Sequence, residues 1–171
     1  MGYTGGTTKN PTYRNLGDHT EAIQIDFDPS KIRYEDLLAM FWKGHSCTSR
    51  PWSVQYKNAV FAASPAQKKA ALASATALSQ KLGKTVHTEI LPLDRFYRAE
   101  DYHQKYYLRR SPEITEELLR QYPDQKAFTD STAATRANGF IGGYGNREQR
   151  ARDIPRLGLS ERSEKQLLRS R

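Results

Sequence analysis

The 171-residue sequence contains a single cysteine, Cys47, which excludes an intramolecular disulfide and fits a reducing compartment. No apolar run approaches the length of a bilayer span, and the first residues lack the apolar core of a secretory signal. These absences give the expectation of a soluble, cytoplasmic chain with no membrane partner. There is no zinc-finger spacing and no RNA-binding signature. The glycine-rich GFIGGYG at 139–145 has neither the lysine nor the spacing of a phosphate loop and reads as a turn. Hydrophobic residues make up only 37%, so a small core under a well-decorated surface is expected.

Positive charge is in excess, with a net +8, but it is not focused. Residues 1–110 hold sixteen Lys and Arg against ten Asp and Glu; residues 111–171 hold eleven against nine. The only dense spots are short pairs such as Arg109-Arg110. That pattern supports weak nonspecific attraction to polyanions and argues against a specific nucleic-acid partner.

What is present is a polar cluster near the start. A glycine-rich turn at 2–6 leads to Tyr13, and a second turn, Gly17-Asp18-His19, delivers Glu21 to the head of an alternating segment. Tyrosine, histidine and glutamate beside an apolar strand make a proton-donating site, with the glutamate acting as an acid only where burial holds its proton.

Periodicity supplies the scaffold. Ile23, Ile25 and Phe27 alternate with Gln24 and Asp26, which predicts a half-buried strand over 21–27. Tyr34, Leu37, Leu38, Phe41 and Trp42 recur at helical spacing over 34–44. A strand at 55–61 follows. Ser64-Pro65 starts and Gly83 stops a helix over 65–82, and a strand at 85–91 succeeds it. Strand, helix, strand, helix, strand with short connections predicts an α/β or α+β two-layer sandwich. Beyond Pro92 the chain turns aromatic and ionisable. A short helix from about Ala99 is expected, then helices from Ser111-Pro112, from Asp130 to near Gly139, and after Ser160. The domain division expected is 1–110 and a helical extension over 111–171.

GYTGG at 2–6, PTY at 11–13, GDHTEAIQIDFDP at 17–29, the YEDLL..FW..H helix, QYKNAVF at 55–61 and FYRAEDYHQKYYL at 96–108 resemble, in that order, the peptide-methionine (S)-S-oxide reductases, the A-type methionine sulfoxide reductases. DSTAATRANGFIGGYG in the tail is similar to the extension of a divergent branch of that family. The resemblance implies their ferredoxin-like core. It also implies thiol-dependent reduction of methionine-S-sulfoxide, free or in proteins, with no bound cofactor or metal and with thioredoxin or another dithiol as reductant. By motif, Glu21 would be the general acid, and Tyr13 and Tyr56 would polarise the sulfoxide oxygen. His19, Asp101, His103 and Tyr106 would surround and orient these groups.

The sequence also departs from the family pattern. The family's Gly-Cys-Phe-Trp, which carries the nucleophile, ordinarily lies a few dozen residues before GYTGG and is not in these 171 residues. The expectation is an N-terminally truncated reductase lacking its first strand and helix and inactive alone, the nucleophile (Cys, or Sec read as a stop) being encoded upstream. The alternative is a catalytically dead module that binds oxidised methionine or a protein partner. The His-Asp-Pro-Thr loop of the family reads here as His45-Ser46-Cys47-Thr48, and SRPWSV before QY is short and without the usual aspartate. Cys47 follows the C-terminal end of the 34–44 helix, the wrong end of the dipole for a thiolate, so a non-catalytic loop thiol is expected, with a backup resolving role as the alternative.

Overall fold

The computed structural model describes residues 1–170, in two compact units that divide between Ala99 and Glu100. The fold is mixed α+β. In the first unit, β1 (Gly2–Thr4) is the centre of a three-stranded antiparallel sheet, between β2 (Thr20–Ala22) and an outer strand at Phe96–Arg98. Tyr3 is fully buried and faces Glu21 across one ladder and Tyr97 across the other. The glycines here are required by space. A Cβ on Gly2 would lie 2.3 Å from the Tyr97 carbonyl oxygen, and Gly5, at φ +83°, sits against the Phe61 ring.

Helix α1 (Tyr34–Lys43) matches its periodicity, with Leu38 buried. Strand β3 (Ala59–Ala62) leads into α2 (Pro65–Leu82), which ends where its capping residues place it. The Ser64 hydroxyl accepts the Gln67 amide hydrogen, Pro65 occupies the first turn, and Gly83 closes the helix at φ +60°. Strand β4 (Glu89–Pro92) pairs in parallel with β3, and α2 packs on both strands and on α1. The outer strand of the first sheet, Phe96–Arg98, is β5.

The strand expected over 21–27 is corrected to three residues. Its ladder partner β1 reaches Ala22, which pairs with Gly2, and no strand among the described residues continues the pairing. Ile23 and Ile25 are therefore 73% and 53% exposed rather than on a buried face. The 55–61 strand likewise shortens to Ala59–Ala62: residues 55–58 are turn and loop, where the Gln55 carbonyl accepts from the Glu21 amide at 3.0 Å.

The second unit is helical. A single 3-10 turn at Asp101–His103 precedes α3 (Tyr106–Arg109), α4 (Pro112–Gln121), α5 (Gln125–Asp130), α6 (Thr132–Ile141), α7 (Arg147–Asp153), another 3-10 turn at Ile154–Arg156, and α8 (Glu161–Arg169). Leu108, Ile114, Leu118, Phe128, Ala134, Ala137, Phe140, Ile154, Leu157 and Leu167 form one continuous core. Helices α5 and α7 are absent from the periodicity reading: they are short, six and seven residues, and are set by Asp124 and Asn146 caps rather than by an apolar stripe. The glycine-rich 139–145 is part helix, since α6 runs through Gly139 to Ile141 before the chain turns. Among the described residues, no helix is long and apolar enough to cross a membrane.

Candidate active site

Two loops meet at β2. The first runs from β1 to β2 and carries Tyr13 in a tight turn, where Thr12 and Asn15 exchange backbone hydrogen bonds of 3.1 and 3.0 Å. Its base is fixed by Asp18, whose carboxylate accepts from the backbone and hydroxyl of both Thr7 and Thr8 at 2.7–3.0 Å. The two backbone donors, then the two hydroxyls, hold this carboxyl far below the usual carboxylate range.

His19 is buried, and the Gly6 amide donates to its Nδ1 at 3.2 Å. That bond requires a lone pair on Nδ1, so Nε2 carries the hydrogen and donates it to the Thr8 carbonyl at 2.7 Å. His19 thus ties the 5–8 turn to the entrance of β2, with the Tyr97 ring edge-on against it at 5.4 Å. Both ring nitrogens are occupied by backbone.

The second loop, 51–58, brings Gln55 and Tyr56 to Glu21. The Glu21 amide donates to the Gln55 carbonyl at 3.0 Å, and the Gln55 side-chain amide donates back to Glu21 Oε1 at 2.6 Å. The same nitrogen donates to Tyr56 Oη at 3.1 Å. With its oxygen lone pair accepting, the Tyr56 hydroxyl hydrogen is directed away from Gln55. Desolvation, then the charge of nearby Glu21, then Tyr13, pushes the Tyr56 phenol above its ordinary value, so the three predicted groups are electrostatic neighbours. Glu21 is half-buried; Tyr13 and Tyr56 are each 44% exposed, open to a ligand arriving from solvent.

Gln55 is the member of this cluster that the sequence reading missed. It lies inside the QYKN motif that singled out Tyr56, and assignment to a strand face hid its side chain as the link between Glu21 and Tyr56.

Cys47 is buried at 7% exposure in the loop after α1, where its carbonyl accepts the His87 amide hydrogen at 2.8 Å. Beside it, His45 bridges the Phe41 carbonyl and the Thr88 hydroxyl, each at 2.8 Å. Asp101 and His103 lie in the first turn of the second unit and Tyr106 opens α3. Among the described residues, no group of three or more His, Cys, Asp or Glu side chains is arranged to hold a metal ion.

A family model described as peptide methionine sulfoxide reductase matches residues 1–137, which takes in the whole first unit and continues through α5 into α6. The chain is similar to a peptide methionine sulfoxide reductase of Drosophila melanogaster, 35% identical over 162 residues, 94% of this chain and 65% of that protein. It is also similar to the peptide methionine sulfoxide reductase MsrA of Methanococcoides burtonii, 42% identical over 118 residues, 63% of this chain and 77% of that one. Among solved structures, the crystal structure of Mxr1 from Saccharomyces cerevisiae in reduced form matches with a TM-score of 0.59 at 28% identity, over 66% of this chain and 70% of that chain. The chain spans 65% and 44% of the length of the first two curated relatives.

Proposed function

Since the chain belongs to the peptide methionine sulfoxide reductase family, we propose that Glu21, Tyr13 and Tyr56 are the oxygen-binding half of a site that reduces methionine-S-sulfoxide. The observation that carries this reading is the continuous chain from Glu21 through Gln55 to Tyr56, at 2.6 and 3.1 Å.

In the reaction, a thiolate attacks the sulfoxide sulfur and the S–O bond breaks. The oxygen leaves on the attacking sulfur as a sulfenic acid, taking one proton, and the substrate departs as the thioether. A second thiol then displaces water from the sulfenic acid to give a disulfide, so a dithiol supplies both electrons and water is the by-product. Thioredoxin or another dithiol of the cytoplasm fits this need. Within the site, Tyr13 and Tyr56 donate hydrogen bonds to the oxygen as negative charge gathers on it, which is where preorganised donors gain most. Glu21 delivers the proton. Gln55 fixes one carboxylate oxygen and leaves the other to face the substrate. His19 keeps the loop that carries Tyr13 in register with β2. Asp101, His103 and Tyr106 are proposed as surrounding groups on the strength of the motif alone.

Cys47 is not the attacking thiol in this reading. A cysteine buried to 7% exposure offers a substrate little access, and the 171 residues contain no other. The polypeptide on its own is therefore proposed to bind the sulfoxide without turning it over. The same observation favours a second reading, a module that binds oxidised methionine and does no chemistry.

The test uses a peptide containing methionine-S-sulfoxide and excess dithiothreitol. The expected result is no reduction above buffer, with S-epimer binding that Glu21→Gln and Tyr56→Phe each weaken. Robust turnover abolished by Cys47→Ser would overturn the assignment and make Cys47 catalytic. Binding indifferent to Glu21 would remove the oxygen site.

A further inference from the structure

Trp52 is the most exposed large apolar side chain among the described residues, at 81%. Scattered surface leucines need no explanation, but an indole left open beside a ligand site does. Its ring lies 5.1 Å from that of Tyr56, tilted by 37°. It also lines a cleft of about 280 Å³, together with Pro51, Ser53, Val54, Lys57 and Glu89.

The loop that builds this cleft is held in place. Thr20 Oγ1 donates to the Val54 carbonyl at 2.9 Å, and the Glu21 amide donates to the Gln55 carbonyl at 3.0 Å. The Tyr56 amide turns back to Ser53 Oγ at 3.3 Å. The strand that carries the acid thus also fixes the cleft wall. Lys57, only 13% exposed, is paired with Glu89 at 3.0 Å. Its charge is already matched, so the cleft offers no unpaired partner to a charged side chain.

We infer that this cleft holds the uncharged, apolar residue that neighbours the oxidised methionine in a peptide substrate, with Trp52 as its specificity-determining wall. The inference rests on the reading of Glu21, Tyr13 and Tyr56 as the oxygen site. An extended peptide advances about 3.3–3.6 Å per residue, so the neighbour of a sulfoxide seated at Tyr56 falls within reach of an indole one ring away. The substrate class is then peptide-bound methionine-S-sulfoxide beside an apolar residue, in preference to the free amino acid or to a site flanked by glycine or aspartate.

The experiment measures binding of three S-sulfoxide peptides, identical except for leucine, glycine or aspartate next to the oxidised methionine, to the full 171-residue polypeptide by calorimetry. Wild type is expected to bind the leucine peptide roughly tenfold tighter than the glycine peptide, the range one filled apolar pocket provides. Trp52→Ala should collapse that ratio to about twofold or less, and Trp52→Phe should keep most of it. Glu21→Gln should weaken the leucine and glycine peptides alike. A ratio unchanged in Trp52→Ala overturns the inference, as does a wild-type protein that binds all three equally while still depending on Glu21; the oxygen site survives either result. Wild-type binding of all three that does not depend on Glu21 removes the oxygen site, and the inference with it.

Discussion

The two compact units solve the folding problem differently. In the helical unit, eleven buried apolar residues form one cluster, among them Phe128, Phe140 and four leucines. In the unit that carries the candidate site, the buried apolar residues are Tyr3, Leu38, Cys47, Ala62, Ala71 and Ala99, mostly small side chains. Ile23, Ile25, Met40, Trp52, Val54, Leu72 and Leu82 of that unit are instead 44–81% exposed. Its order comes from polar ties: Asp18 to Thr7 and Thr8, His19 to Gly6 and Thr8, Gln55 to Glu21, Thr20 to Val54. The difference teaches that burial dominates in the helical unit, while around the proposed oxygen-binding groups directed hydrogen bonds set position.

The comparison makes ordered predictions. Phe128 is fully buried, with the Arg109 guanidinium 5.3 Å above its ring, so Phe128→Ala should cost the helical unit roughly 3–5 kcal/mol in urea unfolding followed by circular dichroism. Arg150 is buried with carbonyls as its main partners: it donates to the backbone oxygens of Phe140, Tyr144, Gly145, Leu167 and Ser170 at 2.7–3.1 Å. Arg150→Met strands those carbonyls and should cost about 1–3 kcal/mol in the same measurement, fraying the ends of α6 and α8.

Acid should separate the units next. Burial works to raise the Glu117 carboxyl, but hydrogen bonds from the Ser160 amide and the Ser163 and Ser160 hydroxyls outweigh it and leave the group below its ordinary 4.5. A depressed carboxyl contributes stability that is complete above 4.5 and lost as the pH falls through the lower folded value. The protection of α8 amides against hydrogen exchange, taken relative to their intrinsic rates at each pH, should therefore fall on acidification below 4.5, and Glu117→Gln should show that lower protection already at neutral pH. The Thr7–Thr8 turn, held by the more deeply depressed Asp18, should outlast α8 in the same titration; α8 outlasting the turn would reverse the ranking. The smallest effect belongs to Leu72→Ala, 48% exposed on α2, expected within about 0.5 kcal/mol. A larger loss would show that the first unit depends on apolar contact more than its exposure suggests.

Helices were legible where capping and periodicity agreed. α2 begins and ends at the predicted residues because Ser64, Pro65 and Gly83 specify dihedrals locally. Strands were less legible because a strand's length is decided by its partner: alternation in Ile23 to Phe27 cannot reveal that the ladder stops at Ala22. β1 was hidden inside a glycine-rich segment that reads as a turn, and its glycines are there for the close approach of Tyr97 and Phe61. For the site, the order of motifs named Tyr13, Glu21 and Tyr56, and the structure makes them electrostatic neighbours. The role of His19 as a backbone clamp and of Gln55 as the link are properties of tertiary contact, which no local pattern encodes.

The bond between Gln55 and Glu21 spans 34 positions of chain, and so does that between Thr20 and Val54. Such contacts form only after the intervening segment, which includes all of α1, has been gathered, so they are assembled against chain entropy that local elements never face. Glu21 and Tyr56 consequently do not exist as a pair in a partly ordered chain. The Glu21 amide, whose hydrogen is held by the Gln55 carbonyl, becomes a single-residue clock for the moment at which β2 and the 51–58 loop come together during refolding.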